Sequence, residues 1–351
     1  MPPGVPAVPD DRTTVTELVT ALGMFPYPDV RSALRARPDE LVVPSSMWER
    51  LSDLHGTGTL ADEFATAFAN GRAFLEAPDA LRGRRPRLVE WTGGRRPPGD
   101  EVAPVDLRID HVYLVSCKYL SSNIANPSPA RLFDGLLATT GDWEQTDWYL
   151  RMAPDEYRAL YRECRAITGL GDLPDDPTDL TPVDRRRLRR ALPGRTYPGD
   201  AQRCYSALCT RVSADSAQRW RDNVERQRSH ERQAWRLLRI GNATYFLLGA
   251  DAKRSLRLRV ASPWDWRQAF EFLDLDIRPG KAGQPQVDWS VTYRQRATGQ
   301  KRTVEGHVEV RWSHGRFAQP PEAKIYLDTP TDEIPGYFAL SESLDQPQLW
   351  N

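Results

Sequence analysis

Residues 104 to 119 constrain the fold of this chain more than any other stretch. There Leu107, Ile109, Tyr113, Val115 and Cys117 alternate with more polar neighbours at the two-residue period of a strand. The pattern breaks at Asp110-His111, which predicts two short strands joined by a tight bend. With Asp110 and Val112 facing each other across the bend, Asp106 falls opposite Ser116, and Lys118 follows one step further on the same face. Leu107, Ile109, Val115 and Cys117 take the other face. One side of the hairpin is expected to be core, and the other to gather an acid, a hydroxyl and an amine.

Lysine usage points to the same place. The chain has 48 Lys plus Arg, yet no lysine precedes Lys118 and none follows it until Lys253. A guanidinium with a pKa above about 12 cannot share or lose a proton, whereas a compact ammonium can. A lysine kept in so arginine-rich a span is therefore a candidate for chemistry; the competing reading is a strand lysine whose stem lies along the surface.

Pro104-Val105-Asp106 followed by Ser116-Cys117-Lys118 resembles the PD-(D/E)xK nuclease superfamily, in which an acid on one strand and an acid-x-lysine on the next hold a divalent metal and a water beside a scissile phosphate. The resemblance covers residues 59 to 140. It implies an α/β (α+β) fold with a restriction-endonuclease-like mixed sheet flanked by helices, Mg2+ or Mn2+ as cofactor, DNA as partner, and phosphodiester hydrolysis in restriction or mobile-element defence. In that assignment Asp106 and the Cys117 carbonyl hold the metal, helped by Glu63 or Glu90, while Lys118 steadies or deprotonates the attacking water. Ser116 departs from the pattern: it removes one of the usual carboxylates and so lowers the ligand charge offered to a hard cation. The alternative function follows from that departure: a nuclease fold that has lost cleavage and serves as a nucleic-acid-binding or assembly module. Both readings leave open a homodimer or a partner protein.

The flanking segments fit this frame. Residues 12 to 55 read as helices broken by Pro26, Pro28, Pro38 and Pro44, with Leu18, Val19 and Leu22 on one stripe. Thr59-Leu60-Ala61-Asp62 resembles a capping box, opening a helix whose Leu60, Phe64, Phe68, Gly71 and Leu75 share a face. Glu63 lies at the edge of that stripe, either as the helix acid that reaches the metal in the family or as a half-solvated border residue. Arg84, Arg85, Arg95 and Arg96 flank an expected strand at 88 to 91, a basic rim suited to phosphate contacts or to plain solvation. Glu90 on that strand is a substitute for the missing carboxylate. Asn123 joins the candidate nucleic-acid contacts, and Ser128-Pro129 caps and opens a helix expected over 130 to 138.

The expected division is a helical segment 1–58, a nuclease-like core 59–140, a charged helical bridge 141–200 and a sheet-rich C-terminal domain 201–351. Strands are expected at 245–248, 256–260, 287–293, 303–312 and 324–327, with an arginine-rich helix over 219–239. Residues 312 to 317 form an aromatic, basic loop suited to touching a ligand. Glu322-Ala323-Lys324 repeats the acid-x-lysine letters without a nearby acid partner. Net charge is zero, so any affinity for nucleic acid must come from local patches. The four cysteines show no metal or secreted-type spacing, and no apolar run approaches about 20 residues, which together suggest a cytoplasmic protein without membrane association. Neither GxxxxGK[ST] nor HExxH is present, which argues against ATP- or zinc-driven chemistry.

Overall fold

The computed structural model describes residues 10–92, 105–119, 123–138, 146–192, 194, 196–241, 243–250, 255–281 and 283–340. The chain opens with α1 (Asp11–Gly23), α2 (Val30–Ala36), β1 (Leu41–Val42), α3 (Ser45–Thr57) and α4 (Ala61–Glu76). Three strands follow, β2 (Val89–Trp91), β3 (Leu107–Ile109) and β4 (Tyr113–Tyr119). Next come β5 (Asn123–Ala125), α5 (Pro129–Phe133), α6 (Trp148–Met152), α7 (Pro154–Thr168), α8 (Pro182–Ala191), α9 (Gly199–Arg226) and α10 (His230–Leu237). The remainder is β6 (Tyr245–Ala250), β7 (Ser255–Val260), α11 (Pro263–Ala269), β8 (Phe270–Pro279), β9 (Gln286–Gln295), β10 (Lys301–Arg311), β11 (Glu322–Leu327) and β12 (Tyr337–Ala339). No helix among the described residues is long and apolar enough to cross a membrane.

The chain is mixed α/β and forms two compact units, one of residues 1–122, 239–269 and 331–351, the other of 123–238 and 270–330. The boundaries expected near 140 and 200 both fall inside the second unit. In the first unit seven strands run in the order β1-β2-β3-β4-β6-β7-β12. β2, β3 and β4 are antiparallel neighbours, and β6 lies parallel to β4. A parallel neighbour needs a crossover rather than a turn, and residues 123–238 intervene in sequence between these two strands. β6 reads as an unbroken apolar run, five of its six residues being buried, as expected of a central strand covered on both faces. β6 and β7 therefore belong to the first sheet, not to the C-terminal sheet domain to which their position in the sequence had assigned them.

Helix α1 organises this unit. Its N-cap Asp10 accepts the Thr13 N–H at 2.7 Å, and the ten residues from Thr14 to Gly23 are all buried. The stripe of Leu18, Val19 and Leu22 is thus part of a helix enclosed on every side, packed on α4 and on β2 and β4. α1 and α4 touch backbone to backbone. A Cβ on Gly71 would lie 2.0 Å from the Thr20 carbonyl oxygen, and one on Gly23 would lie 2.2 Å from that of Phe68. Phe64, Gly71 and Leu75 of the expected α4 face are buried, with Leu60 and Phe68 packed at its border. The capping box does not form: Leu60 occupies the N-cap position and α4 begins without a side-chain cap.

The second unit carries an antiparallel sheet in the order β5-β11-β10-β9-β8. Val287, Trp289, Val291 and Tyr293 of β9 alternate inward, and α9 and α10 pack on this sheet. Ser128 caps α5 as expected, accepting the Arg131 N–H at 3.2 Å, but the helix ends at Phe133. The arginine-rich helix is two, α9 and α10, separated where Arg228 takes a positive φ of 46°. Within α9, Arg211 pairs with Asp215 at 2.8 Å and Arg203 with Asp200 at 2.7 Å, while Arg221 donates to the Ile277 carbonyl at 2.6 Å.

Because no side chain fits at the α1–α4 crossing, Gly71→Ala is expected to cost about 1–3 kcal/mol through forced separation of the helices. A denaturant midpoint lowered with an unchanged slope is the expected reading, and wild-type stability would show that the helices do not meet this way.

Candidate active site

The hairpin forms in the register that the alternation predicts. Leu107 faces Val115 and Ile109 faces Tyr113, which sets Asp106 against Ser116. Asp110 and His111 turn the chain with φ of 50° and 57°, and the Val112 N–H closes the bend on the Ile109 carbonyl at 2.9 Å. The Asp110 carboxylate also accepts the N–H groups of Arg87 and Leu88 at 2.7 and 2.9 Å, which fastens the tip to the segment entering β2.

At the other end Asp106 is held by its backbone on both sides. Its N–H donates to Val115 at 2.8 Å, and its carbonyl accepts the Thr92 N–H at 3.0 Å. Its carboxylate Oδ2 accepts the Cys117 N–H at 2.6 Å and the Ser116 hydroxyl at 3.3 Å. Asp106 thus takes over with its side chain a ladder position that the backbone of β3 no longer fills. The N–H and C=O of one strand residue project to the same edge, so the Cys117 carbonyl faces the edge that Asp106 occupies. Ser116 is fully buried, so the face expected to be open for chemistry is closed at that residue, while Asp106 and Lys118 are half-buried.

A second carboxyl reaches this place from α1. Glu17 is buried, and its Oε2 accepts the Trp91 indole N–H at 2.5 Å. Burial pushes the Glu17 carboxyl up to about 8 and the charge of Asp106 adds to the rise, while the Trp91 hydrogen bond and the charge of Lys118 oppose it. The same charges act on Cys117: burial first, then Asp106 and Glu17, push its thiol well above the ordinary range, against a hydrogen bond to Thr20 and the charge of Lys118. The charges of Asp106 and Lys118 therefore both act on the buried Glu17 and Cys117.

β6 fixes the backbone beside Lys118. A Cβ on Gly249 would lie 1.9 Å from the Lys118 carbonyl oxygen, so only glycine lets the strands run this close. The Gly249 carbonyl accepts the Asn70 side-chain amide of α4 at 2.9 Å, and Asn70 in turn accepts the Arg257 guanidinium at 3.0 Å.

The other expected site residues lie elsewhere. Glu63 is buried on α4 and pairs with Arg12 at 3.1 Å, because the turn of the helix brings it to the N-terminal end of α1. Glu90 is opposite Arg108 and pairs with His111 at 3.3 Å. That puts it one pleat repeat, roughly 7 Å, from Asp106 toward the tip. Arg84 contacts the Tyr113 hydroxyl at 3.4 Å, and Arg85 pairs with Glu40 at 2.8 Å. This rim belongs to the tip end of the hairpin, and at least Arg85 is engaged in an ion pair. Arg95, Arg96 and Pro104 lie outside the described residues. Asn123 begins β5 in the second unit, where its side chain accepts the Ala125 N–H at 3.1 Å. In the rival motif Lys324 is paired across the ladder with Glu309, and Glu322 accepts the Ser313 hydroxyl at 2.5 Å.

Among the described residues, no group of three or more His, Cys, Asp or Glu side chains is placed to hold a metal. The oxygen donors here, the Asp106 and Glu17 carboxyls and the Cys117 carbonyl, are of the type that suits an ion such as Mg2+, which commonly binds through one or two carboxylates, waters and substrate phosphate. Compared with known proteins, the chain matches no family model, no curated protein and no solved structure.

A carboxyl raised from an ordinary 4.5 to about 8 keeps its proton in the folded chain where the unfolded chain has lost it. Its effect on stability is most favourable below 4.5 and declines as pH rises to about 8. Glu17→Gln carries no such proton. Its melting temperature should gain on that of the wild type steadily between pH 5 and 8, and parallel melting profiles would show that Glu17 is not buried beside a second charge.

Proposed function

We propose that the first unit is a metal-dependent phosphodiesterase of the nuclease kind, with Asp106, Glu17 and the Cys117 carbonyl as ligands of Mg2+ or Mn2+ and Lys118 as the cation beside the scissile phosphate. The observation that carries this reading is the burial of Glu17 on the helix packed against the hairpin, within reach of the charge of Asp106. Two carboxyls in a poorly solvated corner repel when both are ionised, and a divalent cation between them turns that repulsion into binding energy. Glu17 fills the role of helix acid for which Glu63 was the sequence candidate. It also supplies the second carboxylate that Ser116 removes from the strand.

In the PD-(D/E)xK arrangement that the hairpin resembles, the bound cation supplies Lewis-acid charge and an acidified water. The residues of this chain do the rest. The Cys117 N–H and the Ser116 hydroxyl hold the Asp106 carboxylate in one orientation, and the Trp91 indole holds that of Glu17. Lys118 offsets the negative charge that grows on the phosphate and keeps the attacking water in line. Hydrolysis then breaks the bond from phosphorus to the leaving oxygen as the water oxygen joins it.

Purified protein with Mn2+ or Mg2+ should cleave DNA. Asp106→Ala should reduce the rate below detection, and Lys118→Met should lower it by at least about a hundredfold with the melting curve unchanged. Binding of Mn2+ followed by calorimetry should release protons below pH 8, because the cation takes the ionised form of Glu17. Loss of this release in Glu17→Gln is part of the expectation. Nucleic-acid binding without cleavage of any single- or double-stranded substrate under either metal would instead establish a binding module.

A further inference from the structure

The second unit contains a cavity of about 700 Å3, within the size range of small-ligand sites. Arg189, Arg311 and Arg316 line it together with Tyr197, Tyr205 and Trp312, and no Asp or Glu is among the described residues that line it. The guanidinium of Arg316 stacks on the Tyr197 ring with its centre 3.6 Å from the ring centroid. Arg311 is anchored by Glu309 at 2.9 Å. Arg189 lies so close to Gly315 that a Cβ there would come within 2.8 Å of its Nε. Two donors in this wall have no hydrogen-bond partner among the described residues, the Tyr197 hydroxyl and the Trp312 indole N–H, and Tyr197 is only 6% exposed. A buried donor without an acceptor is costly. The wall therefore carries guanidiniums, two unsatisfied donors and aromatic faces, beside the polar side chains of Gln284 and Ser313.

We propose that this cavity binds a phosphorylated nucleoside. The cavity offers three guanidiniums and no carboxylate among its described lining, so its ligand is anionic and rich in acceptors. Three guanidiniums and two further donors are more than a single carboxylate can occupy, whereas a phosphate presents three oxygens to planar arginine forks. The aromatic faces, and the outer face of the Arg316 guanidinium held flat on Tyr197, suit a base, which stacks on such planes regardless of its identity. The same chemistry is offered by a free mononucleotide or by the phosphorylated end of an oligonucleotide. This assignment is independent of the hairpin site and stands whether or not that site cleaves DNA.

Calorimetric titration of the full chain with AMP, GMP, CMP and UMP, with adenosine, with inorganic phosphate and with a short 5′-phosphorylated oligonucleotide tests it. The expected result is binding of at least one mononucleotide or of the oligonucleotide, about tenfold or more tighter than adenosine or phosphate alone. Arg316→Gln and Tyr197→Phe should each weaken that binding with the melting temperature little changed, and Arg189→Gln provides a further variant on the exposed side. Tighter binding of the mononucleotide or of the oligonucleotide identifies the source. No binding by the wild type, phosphate binding as tightly as the nucleotides, or affinity unchanged in all three variants would each overturn the proposal.

Discussion

The backbone contact between α1 and α4 is the constraint on which the first unit depends. Gly23 and Gly71 remove the side chains that would hold the helices apart, so α1 lies enclosed between α4 and the strands it packs on. Enclosure makes its polar residues informative. Thr14, Thr16, Glu17 and Thr20 are all buried, and a carboxyl survives in such a place only by finding donors, by keeping its proton or by meeting a cation. Glu17 has one donor, the Trp91 indole, and a like charge at Asp106. The corner is thus electrostatically unfinished in the sense that a divalent ion can complete it. The same helix carries that carboxyl against the hairpin.

The hairpin was the most legible part of the chain. Alternation excluded every one-residue slip, because Leu107, Ile109, Val115 and Cys117 must share a face, and the bend at Asp110-His111 selected among the rest the register that carries Asp106 to Ser116 and Lys118 to the next step. Ser128, the α4 face and the strands β2, β6, β7, β9, β10 and β11 were legible on the same local grounds, whereas β1, β5, β8 and β12 were not expected. Glu17 was not, because its neighbours Leu18 and Val19 mark only one buried stripe, and nothing local says that the opposite side of the helix is covered too. A lone acid within the otherwise apolar and threonine-rich run from Thr13 to Gly23 was the available signal. Glu63 drew attention for its position just ahead of the first strand, yet the register of α4 aims it at Arg12. Sheet membership is likewise nonlocal: β6 and β7 alternate or run apolar like any strands, and only the parallel pairing of β6 with β4 reveals which sheet they join.

Arginine serves two purposes in this chain. Around the hairpin tip and along α9 it is spent on ion pairs with Glu40, Asp200 and Asp215, exposed contacts that contribute little to stability. In the cavity of the second unit Arg189 and Arg316 instead face aromatic rings, glycine and open volume. Lys118 belongs to neither group. It is a compact ammonium at the end of a central strand, and its charge acts on the buried Glu17, where a smaller, more strongly hydrated charge is not interchangeable with a guanidinium.

The central claim is that Glu17 and Asp106 form one cation site. A crystal structure of the full chain grown with Mn2+, with anomalous scattering recorded at the manganese edge, addresses it directly. The account predicts an anomalous peak within about 2.3 Å of a carboxylate oxygen of both residues, in line with the usual bond lengths of oxygen-ligated divalent ions. Manganese peaks elsewhere in the crystal with none between Glu17 and Asp106 would contradict it.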